Sequence, residues 1–192
     1  MNVTAIVLAA GLSRRMGMEK LLLPVDGVPM VQRTLDLVED LPFAKRILVT
    51  VPSIAEVVRT GAEIVYNPSP ELGQGLSVRL GVLAAELSSS LLFFTGDQPF
   101  LDEATVRAIL AAHDGENIVY PVDMDGQPKS PTLFAPCFRE DLLALQGDEG
   151  GRLVRRRYPG VCCEVRIENP GVLLDVDTPV DYEKIKGMEE PG

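Results

Sequence analysis

The run Ala5-Ile6-Val7-Leu8-Ala9-Ala10-Gly11-Leu12-Ser13-Arg14-Arg15-Met16-Gly17, followed by Lys20, places a small-residue turn and several cations directly behind an apolar strand. Small residues let a ligand lie against the backbone, and the amides of such a turn can hold phosphate oxygens. Arg14 and Lys20 then neutralise charge that the amides cannot. The turn lacks both the three glycines of a dinucleotide fingerprint and the Gly-Lys-Ser/Thr of a P-loop. The pattern points to a nucleoside triphosphate held by another kind of loop.

Two acidic segments supply what such a ligand needs. In Leu91-Leu92-Phe93-Phe94-Thr95-Gly96-Asp97-Gln98-Pro99 a strongly apolar run opens at Gly96 and presents Asp97 at its tip. A carboxylate there suits Mg²⁺, which takes hard oxygen ligands and keeps several waters. In Gly171-Val172-Leu173-Leu174-Asp175-Val176-Asp177-Thr178-Pro179 the alternation sends Asp175 and Asp177 to one side of an extended chain. Like charges so placed repel unless a cation or donors hold them. Asp177, nearer the tip, is the expected second metal ligand, and Asp175 a supporting group. A fourth segment, Asn67 to Ser77, has glycines that permit close approach before a helix. There the amides, Gln74 and Ser77 can meet a base or ribose.

Composition narrows the class of protein. The 192 residues suffice for one domain with a sizeable core, expected to span 1–192 with a frayed end at 187–192. Apolar residues make up 46% and charged residues 24%, which argues against disorder. No apolar run is long enough for a membrane helix, and the N-terminus lacks the basic region of a signal peptide, so no membrane partner is expected. Cys137, Cys162 and Cys163 form no Cys-x-x-Cys pair, which suits a reduced, cytoplasmic setting without structural zinc. The single histidine, His113, closes an expected helix and suits its dipole as a cation. Histidine-rich metal sites and most histidine-dependent triads are excluded. The net charge of −10 argues against a nucleic-acid partner. It also requires that an anionic substrate be drawn in by a local basic cluster and a bound cation.

The elements that position these residues alternate along the chain. Strands are expected at Thr4–Ala9, Arg46–Val51, Glu63–Tyr66, Leu91–Thr95, Asn117–Val122, Cys162–Ile167 and Val172–Val176. Helices are expected at Met30–Leu41, Leu76–Leu87, Glu103–His113, Phe138–Leu145, Gly151–Tyr158 and Val180–Met188. Such alternation predicts an α/β fold, a mostly parallel sheet covered by helices on both faces. Ligands of open sheets sit beyond the carboxyl ends of the strands. Gly11, Asp97 and Asp177 would all fall on that rim.

Together, Leu8-Ala9-Ala10-Gly11 with Arg14-Arg15-Met16-Gly17 and Lys20, then Gly96-Asp97-Gln98-Pro99, then Asp175-Val176-Asp177-Thr178-Pro179 resemble the MobA-like nucleotidyltransferases over essentially the whole chain. Within that family the likeness is greatest to the cytidylyltransferases of the molybdenum cofactor. The resemblance implies a Rossmann-like three-layer α/β/α fold and transfer of CMP from CTP to a phosphorylated pterin-type acceptor, with release of pyrophosphate. It implies that Leu8, Ala9, Ala10, Gly11, Arg14, Lys20, Gly75, Ser77 and Asp97 bind the nucleotide. Arg14, Lys20 and Asp97 would be catalytic, and Asp97 and Asp177 would hold Mg²⁺. Ala9-Ala10-Gly11 resembles the cytidylyl version, since the guanylyltransferases tend to carry Ala-Gly-Gly. Where cofactor cytidylyltransferases often carry Gly-His-Pro, this chain has Gln127-Pro128-Lys129-Ser130-Pro131. Lys129 and Ser130 would then meet the acceptor, with Arg152 from the family-like segment Gly147–Arg152. A sugar or polyol phosphate acceptor, guanylylation, and a non-catalytic factor that carries a pterin to a molybdoenzyme stand as alternatives.

Overall fold

A computed structural model describes residues 2–11 and 19–186. Arg14 and the tail 187–192 lie outside the described residues. The strands, in chain order, are β1 Val3–Ala9, β2 Pro24–Val25, β3 Val28–Pro29, β4 Lys45–Thr50, β5 Glu63–Tyr66, β6 Ser90–Thr95, β7 Ile118–Val122, β8 Thr132–Phe134 and β9 Cys162–Arg166. The helices are α1 Met30–Asp40, α2 Pro52–Ala55, α3 Gln74–Ala84, α4 Glu103–Ala111, α5 Arg139–Leu143, α6 Gly151–Arg157 and α7 Pro179–Ile185. Strands β2 and β3 form a small hairpin, and the other seven make one sheet of order β5-β4-β1-β6-β8-β7-β9. All neighbours in it are parallel except β8, which runs antiparallel to both β6 and β7. This is the expected α/β architecture of three layers.

Side-chain alternation along the central strands builds two cores. Val3, Ala5, Val7 and Ala9 of β1 face α1 and α4, whose Val31, Leu35, Val106 and Ile109 are fully buried. Ile6 faces the opposite layer, where Val78 and Val82 of α3, Leu142 of α5 and Val154 of α6 pack. In β6, Leu92 and Phe94 enter the first core while Leu91 and Phe93 enter the second. A strand apolar at successive positions is thus a strand covered on both faces. A third, smaller cluster of Val25, Met30, Phe100, Val176 and Ile185 fastens α7 against the hairpin.

Chain order sets the place of the site. From β1 the chain moves outward through β4 and β5, then returns to lay β6 on the other flank of β1. The strand order thus reverses at β1, a topological switch point where such sheets leave a crevice at their carboxyl ends. The Gly96 amide donates to the Leu8 carbonyl at 3.3 Å and fixes that crevice's floor.

One local expectation is corrected, and two details were not foreseen. Residues 172–176 are not a strand: Asn169 caps a 3₁₀ turn at Pro170–Leu173, accepting from the Gly171 amide at 3.1 Å. The apolar side chains of Val172, Leu173 and Val176 are buried as a lid on the core edge, and Val176 donates its amide to the Asp97 carbonyl at 3.0 Å. Strand β8 carries no strand signal in Pro128-Lys129-Ser130-Pro131-Thr132, yet Leu133 and Phe134 are fully buried and wedge it into the sheet. His113, just past the end of α4, is buried as a bridge between two polar side chains. Its Nε2 lies 2.8 Å from Ser90 Oγ and its Nδ1 2.6 Å from Asn117 Oδ1. Asp102 caps α4 by accepting from the Thr105 amide, and Thr178 and Asp181 form a capping box at the start of α7.

Phe94 is fully buried and meets Phe43 edge-on at 6.0 Å between ring centroids. Phe94→Ala is expected to lower unfolding free energy by about 3–5 kcal/mol in urea titrations. Leu87→Ala, at a side chain 79% exposed, should change it by no more than about 0.5 kcal/mol.

Candidate active site

Lys20 begins a short 3₁₀ turn that returns the chain to the crevice. Its ammonium donates to Asp97 Oδ2 at 2.8 Å, to Asp177 Oδ1 at 3.0 Å and to the Val176 carbonyl at 2.9 Å. Two carboxylates from distant parts of the chain thus lie within 3.0 Å of one point. Burial pulls the Lys20 pKa down, but the Asp97 and Asp177 charges and hydrogen bonds outweigh it, and the net shift is upward. The group remains an ammonium at neutral pH.

A cavity of about 520 Å³ opens beside this cluster. Leu8, Ala10 and Gly11 from the end of β1, Gly73, Gln74 and Ser77 from the start of α3, and Thr95, Gly96 and Asp97 after β6 line it with Lys20 and Asp177. A Cβ built on Gly11 would meet nothing within 4 Å, so the protein's own packing does not demand a glycine there. The space lies free for a ligand close to the backbone. Ser77 Oγ accepts from Asn67 Nδ2 at 2.9 Å, which leaves its proton to donate elsewhere.

A second cavity, about 580 Å³, adjoins the first. Leu8, Gln74, Thr95, Asp148 and Asp177 border both. Its further walls include Lys129, Ser130 and Thr132 beside β8, Arg152 and Arg155 on α6, and Asp175. Lys129 faces Asp175 at 3.6 Å. Burial, with the Asp97 and Asp177 charges, pushes the Asp175 carboxyl up to about 6, while Lys129 opposes that shift. Gln98 Nε2 donates to the Ser130 carbonyl at 3.2 Å and ties the Asp97 loop to the second cavity.

Beside the two cavities, glycines of two loops pack backbone against backbone. Gly75 donates its amide to the Gly147 carbonyl at 2.9 Å. Gly73 has φ +91°, and a Cβ on it would overlap the Gly147 carbonyl. Only glycine lets the 73–75 turn sit so close to the 146–150 loop.

Among the expected site residues, Leu8, Ala10, Gly11, Lys20, Ser77, Asp97 and Asp177 line the first cavity, and Lys129, Ser130 and Arg152 line the second. Two expected residues lie outside both cavities. Ala9 is fully buried, its carbonyl accepts from Thr50 Oγ1 at 3.1 Å, and it lines neither cavity. Gly75 likewise lines neither, because its amide is spent on Gly147. Asp175 and Asp177 answer different cations, since the chain there turns instead of extending as a strand. Thr95, Asp148 and Arg155 were not anticipated. Thr95 immediately precedes Gly96-Asp97, and its buried Oγ1 has no partner among the described residues. Arg155 stands one helical turn beyond Arg152, a spacing that shares a helix face.

The donor set fits a divalent cation shared with phosphates. Among the described residues no group of three or more His, Cys, Asp and Glu can enclose a metal. Magnesium in phosphoryl-transfer sites takes one or two carboxylates and completes its shell with phosphates and waters. Asp97 and Asp177 already converge on a cation, the Lys20 ammonium. Glu71, Asp97, Asp148 and Asp177 line the first cavity, and Lys20 is the one cation among its described lining residues. A triphosphate enters so acidic a cavity only with added positive charge.

Comparison with known proteins agrees with this geometry. The model for the MobA-like NTP transferase domain matches residues 5–161. The chain belongs to that family. It is a nucleotidyltransferase of the MobA-like kind, and its nucleotide substrate is a triphosphate. It is 27% identical to the molybdenum cofactor cytidylyltransferase of Escherichia coli (strain K12), over 94% of this chain and 93% of that protein. It is 28% identical to the molybdenum cofactor guanylyltransferase of Shewanella loihica, over 96% and 95%. Rv0371c from Mycobacterium tuberculosis, crystallised in complex with manganese, superposes with a TM-score of 0.82 at 25% identity, covering 98% of this chain and 99% of that one.

A divalent ion held by Asp97 and Asp177 would compete with Lys20 for these two carboxylates. Lys20→Met is expected to raise the affinity of the nucleotide-free protein for Mn²⁺ by at least about tenfold, read from the free-ion signal in electron paramagnetic resonance. Unchanged or weaker Mn²⁺ binding would contradict the shared position.

Proposed function

We propose that this protein transfers CMP from CTP to the terminal phosphate of a molybdopterin-type cofactor, with Mg²⁺ as its metal and pyrophosphate as leaving group. The observation that carries the reading is the junction of two cavities at Asp177, beside the Lys20–Asp97–Asp177 cluster. One cavity has the backbone turn and the α3 start for a nucleotide. The other has Lys129, Arg152 and Arg155 for an anion.

Donor and acceptor bound on either side of that junction would meet for in-line attack of an acceptor phosphate oxygen on the α-phosphorus. A phosphate nucleophile is already ionised near pH 7, so no side-chain base is required. That suits a chain whose single histidine is buried between Ser90 and Asn117. When bound, the divalent ion supplies charge neutralisation for the triphosphate and the leaving pyrophosphate. Asp97 and Asp177 would hold it. Lys20, released from them, would carry its ammonium to the phosphates, joined by Arg14. Lys129, Ser130 and Arg152 would orient the acceptor. Positioning and charge stabilisation together account for the rate.

Ala9-Ala10-Gly11 supports the preference for CTP by its likeness to the cytidylyl version of the motif. The guanylyltransferase among the relatives keeps GTP as the second reading.

Pyrophosphate release with molybdopterin and each of CTP, GTP, ATP and UTP tests the assignment. CTP is expected to turn over fastest, and release with GTP alone would replace the base assignment. No release with any nucleotide, despite binding, would leave a carrier instead of an enzyme. Asp97→Ala is expected to lower turnover at least about 10²-fold at saturating Mg²⁺, the loss typical of one strong electrostatic group. Near-native turnover in that variant would remove Asp97 from the metal site.

A further inference from the structure

A half-buried guanidinium is costly to keep without a counter-charge, and Arg155 is such a group. It lines the second cavity. Among the described residues no carboxylate lies within ion-pairing distance of it. Burial pulls its pKa downward, as expected for a cation removed from water. The other charges of the cavity are largely committed: Asp177 answers Lys20, and Asp175 answers Lys129.

What holds Arg155 is an aromatic face. Its guanidinium carbon lies 4.2 Å from the centroid of the Tyr120 ring. Tyr120 is itself fixed, being 5% exposed and donating its hydroxyl to Glu164 Oε1 at 3.1 Å. A guanidinium laid on a ring keeps the N–H groups at its edges free to meet two oxygens of an anion. The arrangement is a prepared anion receptor whose cost of ordering is met before any ligand arrives.

We propose that Arg155, seated on Tyr120, binds the anionic group of the acceptor, and that this group is a phosphate monoester held through the guanidinium edge. Arg152, one turn earlier on the same helix, adds charge at the exposed mouth. The inference rests on the second cavity being the acceptor site, as read above. Tyr120 is a positioning residue that acts through Arg155.

The test is calorimetric titration of inorganic phosphate into the full chain with Mg·CTP added first to fill the nucleotide cavity. Native protein is compared with Arg155→Met, Arg155→Lys, Tyr120→Phe and Tyr120→Leu, each checked by thermal melting. Arg155→Met is expected to weaken phosphate binding at least about tenfold, as for loss of a charged hydrogen-bonding partner. Arg155→Lys should fall between it and the native protein, because the charge survives and the fork does not. It also supplies the reading if the methionine variant does not melt cooperatively. Tyr120→Phe should match the native protein and Tyr120→Leu should approach Arg155→Met. Equal affinity in the native and Arg155→Lys proteins, or no phosphate binding by the native protein, overturns the inference. The preliminary CTP titration is separate: failure there counts against the nucleotidyl reading alone, and loss of phosphate on removing Arg155 still supports the anion site.

Discussion

The ion triad of Lys20, Asp97 and Asp177 is the constraint on which the rest of the structure depends. Two carboxylates that approach one point repel each other unless a cation stands between them. In the ligand-free protein the Lys20 ammonium is that cation, supported by the Val176 carbonyl. Three segments are thereby drawn to one place: the turn after β1, the tip of β6 and the chain leading into α7. The cation position is thus formed before substrate arrives. Its occupant is the end of a flexible side chain, which under the proposed function would withdraw when a metal–triphosphate complex brought its own charge.

Fold and charge make this a working solution for an acidic protein. With a net charge of −10 the molecule as a whole repels nucleotides and phosphorylated acceptors alike. Attraction is instead local. In the first cavity four carboxylates outnumber the one described cation, so an anionic substrate there calls for added positive charge. In the second cavity Lys129, Arg152 and Arg155 supply positive charge directly. The glycine contacts of Gly73 and Gly75 with Gly147 hold the 73–75 turn and the 146–150 loop against each other's backbone.

Much of this was legible in the sequence because it is written in local patterns. Apolar runs such as Leu91–Phe94 announce doubly covered strands, and Gly96-Asp97 at the end of one announces a presented carboxylate. What escaped was decided by distant partners. The segment around Val172–Val176 alternates as a strand would, yet Asn169-Pro170-Gly171 turns it and its apolar residues seal a core edge. Strand β8 is three residues long and exists because Leu133 and Phe134 find burial on both sides of the sheet. The packing of Gly75 against Gly147 is not foretold by anything local in the chain. Arg155 was invisible without Tyr120, which lies 35 positions earlier in the numbering and across the sheet–helix interface.

The most direct test of the central claim is a crystal structure with Mn²⁺ and CTP, with the metal located by its anomalous scattering. The account predicts one manganese coordinated by Asp97, Asp177 and the phosphates, with the Lys20 ammonium moved from the two carboxylates onto the triphosphate. A manganese bound away from both aspartates, or a nucleotide seated while Lys20 still bridges them, would contradict it.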